Sequence, residues 1–317
     1  MSSKVWLIVG GGGFIGTNLV NHLRTSCPNV GEIMVYDYQF NEKHTDNNIR
    51  YLDANLVSLE HVLTHHNIKI SYIVNLASNV GVNNVKDNPH DTITAGLEVA
   101  LTLNKHCMVP MFFASTSEVY GNSANRAAES SNASINDPTD MRSSYAATKR
   151  VIESLVLSAK YPAVVGRFFN VSGPHQCATK GVLPKLMKEG IETGSISIHK
   201  PGSQTRSFSH IKDICKYIVF TLTSPGCHNE VFNMGSSGNE VSMLEISERI
   251  REYFYLKGTV LEVHMCDSQL PDVILERSPD MTKLKSVFTE YSSTDLYTIL
   301  DDVYNHQLKK ISNEETT

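Results

Sequence analysis

The chain has 317 residues, 41% hydrophobic and 19% charged, with 19 Gly, 11 Pro, six Cys and a formal net charge of -5. This is globular composition, long enough for one large domain or two, and it excludes collagen-like and disordered chains. The negative balance argues against nucleic acid or an anionic membrane surface as the main partner. No run reaches the ~18 apolar residues of a membrane span, and the apolar start MSSKVWLIV runs into glycines rather than a cleavage site. A soluble, cytoplasmic protein is expected.

From residue 4 a β-branched run (Val5, Leu7, Ile8, Val9) meets glycines, after which Ile15, Leu19 and Leu23 recur at fourfold spacing. That reads as strand, tight turn and helix. Further apolar runs at 32–37, 72–77, 111–115 and 163–168 alternate with helical patterns near 57–66, 90–107 and 143–160, and Val231–Met234 reads as another strand. Consecutive apolar positions separated by helices are what a parallel sheet covered on both faces requires, so the fold class is doubly wound α/β. The polar stretch 121–141 reads as a loop over the sheet's carboxyl edge, and its glycosylation-like Asn132-Ala-Ser134 as accidental. His210 and Asp213, in FSHIKD, read as packing and capping groups. The six cysteines (Cys27, Cys107, Cys177, Cys215, Cys227, Cys266) contain no CxxC pair, which predicts free thiols and no zinc site. Neighbours such as His106 and Cys107 point in different directions on a regular element, so no metal is expected.

GGGGFIG sets Gly10, Gly13 and Gly16 directly after the first strand and at the opening of the first helix. Glycines permit the turn and a close backbone approach, and the helix N-terminus offers amides to a pyrophosphate. Asp37 ends the second strand about 20 residues on, where a carboxylate accepts ribose hydroxyls and repels a 2'-phosphate, favouring NAD over NADP. Asn55, in YLDANL after the third strand, is a candidate for the adenine edge. In SSYAATKR, Tyr145 and Lys149 stand four apart on one helical face. The strand before them ends in ASTSEVYG, placing Thr116, Ser117 and Glu118 at its carboxyl end, where ligands sit in open α/β sheets.

Taken in order, GxxGxxG, the late-strand Asp, TSEVYG, YxxxK, RFFNVSGP, GSQTRSF and ERSPD resemble the extended short-chain dehydrogenase/reductase superfamily, specifically its nucleotide-sugar decarboxylases, dehydratases and epimerases. The resemblance spans nearly the whole chain. It implies a Rossmann-type doubly wound parallel sheet with a smaller C-terminal substrate-binding α/β lobe. The division expected is an NAD-binding domain of residues 1–168 plus 207–234 and a nucleotide-sugar lobe of residues 169–206 plus 235–317. It implies NAD as cofactor, held by Gly10, Gly13, Phe14, Ile15, Gly16, Asp37, Asn55, Leu76, Ala77, Tyr145 and Lys149. Tyr145 would be the base at a sugar hydroxyl, with Lys149 supplying the cation that favours phenolate and Thr116 bonding the reacting hydroxyl. Ser117, Asn170, Leu183, Lys185, Arg206 and Arg277 would hold the sugar nucleotide, the arginines on its diphosphate. A homodimer through the Tyr145 helix is also implied, with Val151, Leu155 and Leu157 as its apolar positions or as ordinary packing.

The reaction turns on the residues beside Thr116. Ser117-Glu118 keeps the carboxylate used at C5 and lacks the Asp of many dehydratases, a pattern similar to UDP-glucuronate decarboxylases, and ERSPD resembles their RxPD segment. YGNS and YAATK, where decarboxylases usually carry YGDP and YDEGK, look more like dehydratases and epimerases. Decarboxylation of UDP-glucuronate to a UDP-pentose is the first reading, with a 4,6-dehydratase or 4-epimerase as alternatives. A silent NAD-binding sensor module is the non-enzymatic one.

Overall fold

The computed structural model describes residues 3–65, 69–78, 89–123, 125–132, 141–267 and 275–314. The first part of the chain runs β1 (Lys4–Val9), α1 (Phe14–Ser26), β2 (Val30–Asp37), β3 (Ile49–Asp53), α2 (Leu59–His65), β4 (Tyr72–Asn75), α3 (Pro89–His106), β5 (Met111–Thr116), α4 (Met141–Leu157) and β6 (Ala163–Phe168). It continues with β7 (Asn170–Ser172), α5 (Val182–Thr193), β8 (Ser195–His199), β9 (Thr205–His210), α6 (Ile211–Thr223), β10 (Glu230–Met234) and β11 (Glu240–Ser242). The last elements are α7 (Met243–Leu256), β12 (Glu262–Cys266), β13 (Glu276–Arg277), α8 (Thr282–Val287) and α9 (Leu296–Glu314).

Seven strands form one parallel sheet in the order β3-β2-β1-β4-β5-β6-β10. Successive side chains leave a strand on opposite faces, and here both faces are dry. Trp6 and Ile8 pack with Leu19, Val20 and Leu23 of α1 and Ile211, Ile214 and Ile218 of α6. Leu7 and Val9 pack the other way, with Val62 of α2, Leu103 of α3 and Ile152 and Val156 of α4. Each such burial is worth roughly 1.5–3 kcal/mol, and two filled faces explain why the strands read as continuous apolar runs. The doubly wound architecture is the expected one. In the run 72–77 the strand ends at Asn75; the Leu76 amide still donates to the Val9 carbonyl of β1 (2.8 Å), and the Ala77 amide turns to the Asn75 side chain (3.1 Å).

Of the stretch 121–141, residues 124 and 133–140 lie outside the described residues. A 3-10 turn covers Ser117–Ser123, bent where Gly121 takes φ 55°, and Ala127 pairs with Pro279 in a parallel bridge. Asn132 is exposed, and the Ser134 of its triplet lies outside the described residues.

A smaller body is built on β9, which pairs in parallel with β7 and β13 and antiparallel with β11, beside a parallel β8–β12 pair. Leu183, Leu186, Ile196, Ile198, Phe208, Ile246, Ile250, Leu300 and Val303 form its own core, whereas Met281, Leu284 and Phe288 pack with the large sheet. His210 Nδ1 accepts from the Lys212 amide (3.0 Å) and caps α6, its Nε2 meets Asp302 of α9 (2.9 Å), and Asp213 accepts from the Thr294 amide (2.8 Å). His210 takes the capping role expected of it, and Asp213 is buried and joins α6 to the chain before α9. All six cysteines are free thiols, and among the described residues no helix is long and apolar enough to cross a membrane.

Candidate active site

Strand order reverses between β1 and β4, so the carboxyl ends of β1, β2, β4 and β5 border a crevice at a topological switch point. The glycine turn lies there. Gly10 takes φ 78°, and a Cβ on it would stand 2.5 Å from the Ala77 amide nitrogen, so only glycine lets the turn lie against Leu76 and Ala77. Gly13 caps α1 with no side-chain hydrogen bond and no acidic residue follows in the first turn, leaving the amide end around Phe14, Ile15 and Gly16 to an outside anion. Asp37 accepts from the Gly12 amide through Oδ2 (2.9 Å) and from the Tyr38 amide through Oδ1 (2.7 Å), which fixes its carboxylate at the turn. The Gln39 amide adds a longer third bond to Oδ1 (3.4 Å), so of about four acceptor sites on a carboxylate one remains, on Oδ2, for a ribose hydroxyl. An uncapped helix end, a side-chain-free turn and a fixed carboxylate together fit NAD. Asn55 is exposed and donates to Asp53 (2.9 Å), its chain adjoining β3 on the same edge.

At the end of β5, Thr116 Oγ1 accepts from the Glu118 amide (3.2 Å), turning the chain so that Glu118 follows one step beyond the strand. On α4, Lys149 is 5% exposed; its Nζ donates to the Ala114 carbonyl (2.8 Å) and lies 5.9 Å from the Tyr145 ring centre and 4.8 Å from that of Phe113. Burial brings the Lys149 pKa down to about 8, with the charge of Glu153 acting against it. Burial pushes the Tyr145 phenol up to about 12, a hydrogen bond from Ser78 pulls it down, and the Glu118 charge raises it further. Tyr145 is therefore a phenol until more positive charge arrives beside it. Thr116, Glu118, Tyr145 and Lys149 are brought to one place. Ser78 joins them unforeseen; its only signal in the sequence is its place just past the end of β4.

The predicted substrate residues divide. Arg277 donates to both carboxylate oxygens of Glu118 (2.5 and 3.0 Å), a bidentate pair with side chains 8% and 18% exposed. The sequence sets Glu118 at sugar C5 and Arg277 on the diphosphate of the same ligand; the fold makes them partners of each other. Arg206 stands in register beside Arg277 across β9 and β13, its Nη1 bonded to the Thr205 carbonyl (2.7 Å). Among the described residues, the Arg277 Nε is buried without a hydrogen-bond acceptor. Ser117 is buried at the β5 end and Asn170 half-buried at the start of β7. Leu183 lies in the core of the smaller body, and Lys185 is exposed on α5. Among the described residues, no group of three or more His, Cys, Asp or Glu is placed to hold a metal ion.

Residues 6–235 match the model of the NAD dependent epimerase/dehydratase family. The chain is 30% identical over 291 residues to UDP-glucuronic acid decarboxylase 5 of Arabidopsis thaliana, covering 89% of this chain and 82% of the relative. To the UDP-N-acetyl-alpha-D-glucosaminuronate decarboxylase of Bacillus cytotoxicus it is 27% identical over 306 residues, covering 90% and 91%. Among solved structures, MoeE5 in complex with UDP-glucose and NAD superposes with a TM-score of 0.81 at 23% identity over 98% of this chain and 100% of that one, a likeness of fold. The glycine turn, the Tyr145–Lys149 pair and the matched 6–235 span agree, and the chain belongs to the NAD dependent epimerase/dehydratase family of enzymes.

Proposed function

We propose that the protein decarboxylates a UDP-linked hexuronate, UDP-glucuronate first among them, to a UDP-pentose. The Glu118–Arg277 pair beyond Thr116 carries the reading. Moving a hydride between two faces of a ketone needs no carbon acid or base, and a buried guanidinium paired with Glu118 beside the reacting strand suits a substrate that brings its own carboxylate. Two relatives whose names specify decarboxylation of UDP-uronates support it. NAD, held by the glycine turn and Asp37, would supply the hydride acceptor for sugar C4 and the hydride for the final reduction. Tyr145 takes the C4 hydroxyl proton, Lys149 stabilises the phenolate, and Thr116 bonds the same hydroxyl. The 4-keto uronate is a β-keto acid: its C5–carboxylate bond breaks, carbon dioxide leaves with the bonding electrons passing to C5, and Glu118 with its neighbours manages the proton that C5 then takes up. Asn170, Arg206 and Arg277 sit toward the diphosphate and sugar in this reading, Asn55 toward adenine, and Leu183 and Lys185 along the nucleobase segment. The body on β9 acts as the substrate lobe, and two chains pair through α3 and α4, where Leu101 (54%) and Val151 (58%) are exposed.

Mass analysis of UDP-, GDP- and thymidine-linked sugars incubated with protein and NAD tests the proposal. Loss of carbon dioxide from UDP-glucuronate is expected. Loss of water from a hexose with UDP-glucuronate untouched would instead assign a dehydratase, and unchanged mass with altered stereochemistry an epimerase.

A further inference from the structure

The face of α4 that carries Tyr145 and Lys149 continues four residues on to Glu153, whose side chain is 0% exposed. A carboxylate persists at such a site only when paired and hydrogen-bonded. Ser115 Oγ donates to it at 2.6 Å, Arg167 holds it through Nε at 2.9 Å and Nη2 at 2.8 Å, and Arg150 adds a bond at 2.9 Å. The partners sit where the chemistry is supported. Ser115 lies between Thr116 and Ala114, whose carbonyl holds Lys149, and Arg167 of β6 stands in register opposite Ser115 while its guanidinium covers the Tyr120 ring at 4.9 Å. One carboxylate thus ties the end of β5, β6 and α4 together.

We propose that Glu153 is a positioning residue for the oxidation site, locking the Thr116 end of β5 to the helix that bears Tyr145 and Lys149 and giving the buried Lys149 ammonium a negative neighbour. The inference rests on Tyr145 and Lys149 being the oxidising pair. Around Lys149 stand the Phe113 ring and the Ala114 carbonyl from β5 and Tyr145 and Glu153 from α4, with Glu118, Arg150 and Arg167 as the further charges of the cluster. Arg150 and Arg167 bind Glu153 directly, and its charge acts on Lys149 against burial.

Urea unfolding from about pH 6 to about pH 11 tests this for wild type and Lys149→Met, then for the same pair in a Glu153→Gln background. A lysine near 8 when folded, and at its ordinary value when unfolded, binds fewer protons in the native state between those values. Native stability contributed by Lys149 therefore rises with pH across that window, and Lys149→Met lacks the rise. In the Glu153→Gln background the rise is expected to begin about one pH unit lower, a tenfold change in the protonation equilibrium. Difference curves that superimpose in the two backgrounds overturn the proposal. If Glu153→Gln does not fold, Ser115→Ala, which leaves the arginine bonds in place, decides. Its rate of NAD reduction with the sugar nucleotide selected by mass analysis is expected to fall roughly tenfold at unchanged NAD affinity. A rate within about twofold of wild type would overturn the positioning role. The urea measurement needs neither NAD nor sugar, so it stands even if the substrate proves to be another.

Discussion

Tyr145 illustrates how a residue type acquires a task from its surroundings. Burial raises its phenol to about 12, and Glu118 adds a like charge, so the side chain stays protonated near neutrality unless Lys149 and a cationic nicotinamide offset both. Tyr145→Phe keeps the ring and removes the proton acceptor, and is expected to slow sugar oxidation by about 10²–10⁴, read as the growth of reduced-nicotinamide absorbance. Glu118 acts later. Glu118→Gln keeps a hydrogen-bond acceptor for Arg277 but loses the charge, so oxidation should proceed within a few fold while the step at C5 slows by about 10²-fold. Rapid quench would then show the 4-keto sugar accumulating; equal loss of both steps would remove the role assigned to Glu118.

At the level of elements, α3 and α4 cover one face of the sheet with Leu103, Ile152 and Val156, and turn Leu101 and Val151 outward. Leu155 and Leu157 are half-buried and pack with the sheet, so of the three apolar positions expected at an interface only Val151 faces solvent. A pairing through these helices would bury a charge placed at Val151. Val151→Glu is expected to weaken self-association at least about tenfold, measured by sedimentation equilibrium, with the unfolding midpoint of the monomer little changed. Unaltered association would place the partner elsewhere.

At the scale of the molecule, four histidines among the described residues are held toward their neutral form: His22 on α1, His175 after β7, His210 capping α6 and His306 on α9. Burial is the leading cause in each case, reinforced by Lys216 for His22, His44 for His175, Lys212 for His210 and His175 for His306, which falls to about 4. Below about pH 6.5 the unfolded chain takes protons that the native one refuses. Their contribution to stability is therefore complete above that pH and is lost on acidification toward about 4. Urea midpoints should fall steadily from about pH 7 to about pH 5, and His306→Phe should flatten part of the fall; a flat wild-type profile over this range would contradict it.

Sequence alone determined the alternation of strands and helices through β6, the glycine turn, the late-strand Asp37 and the Tyr145–Lys149 face, because each is written in neighbours a few residues apart and in periods of two and 3.6. It also determined that both sheet faces are covered, since apolar runs without alternation leave no face for water. What only the tertiary structure decided joins residues far apart in the chain. Glu118 meets Arg277 across 159 positions, and Ser115 meets Glu153 across 38. Ser78, three residues past β4, reaches Tyr145 on α4, 67 positions later in the chain. Such pairs follow from strand order and register, which local patterns do not encode. A buried carboxylate such as Glu153 therefore reads in the sequence as one more charged residue on a helix, and as an anchor of the oxidation site only once β5, β6 and α4 are in place.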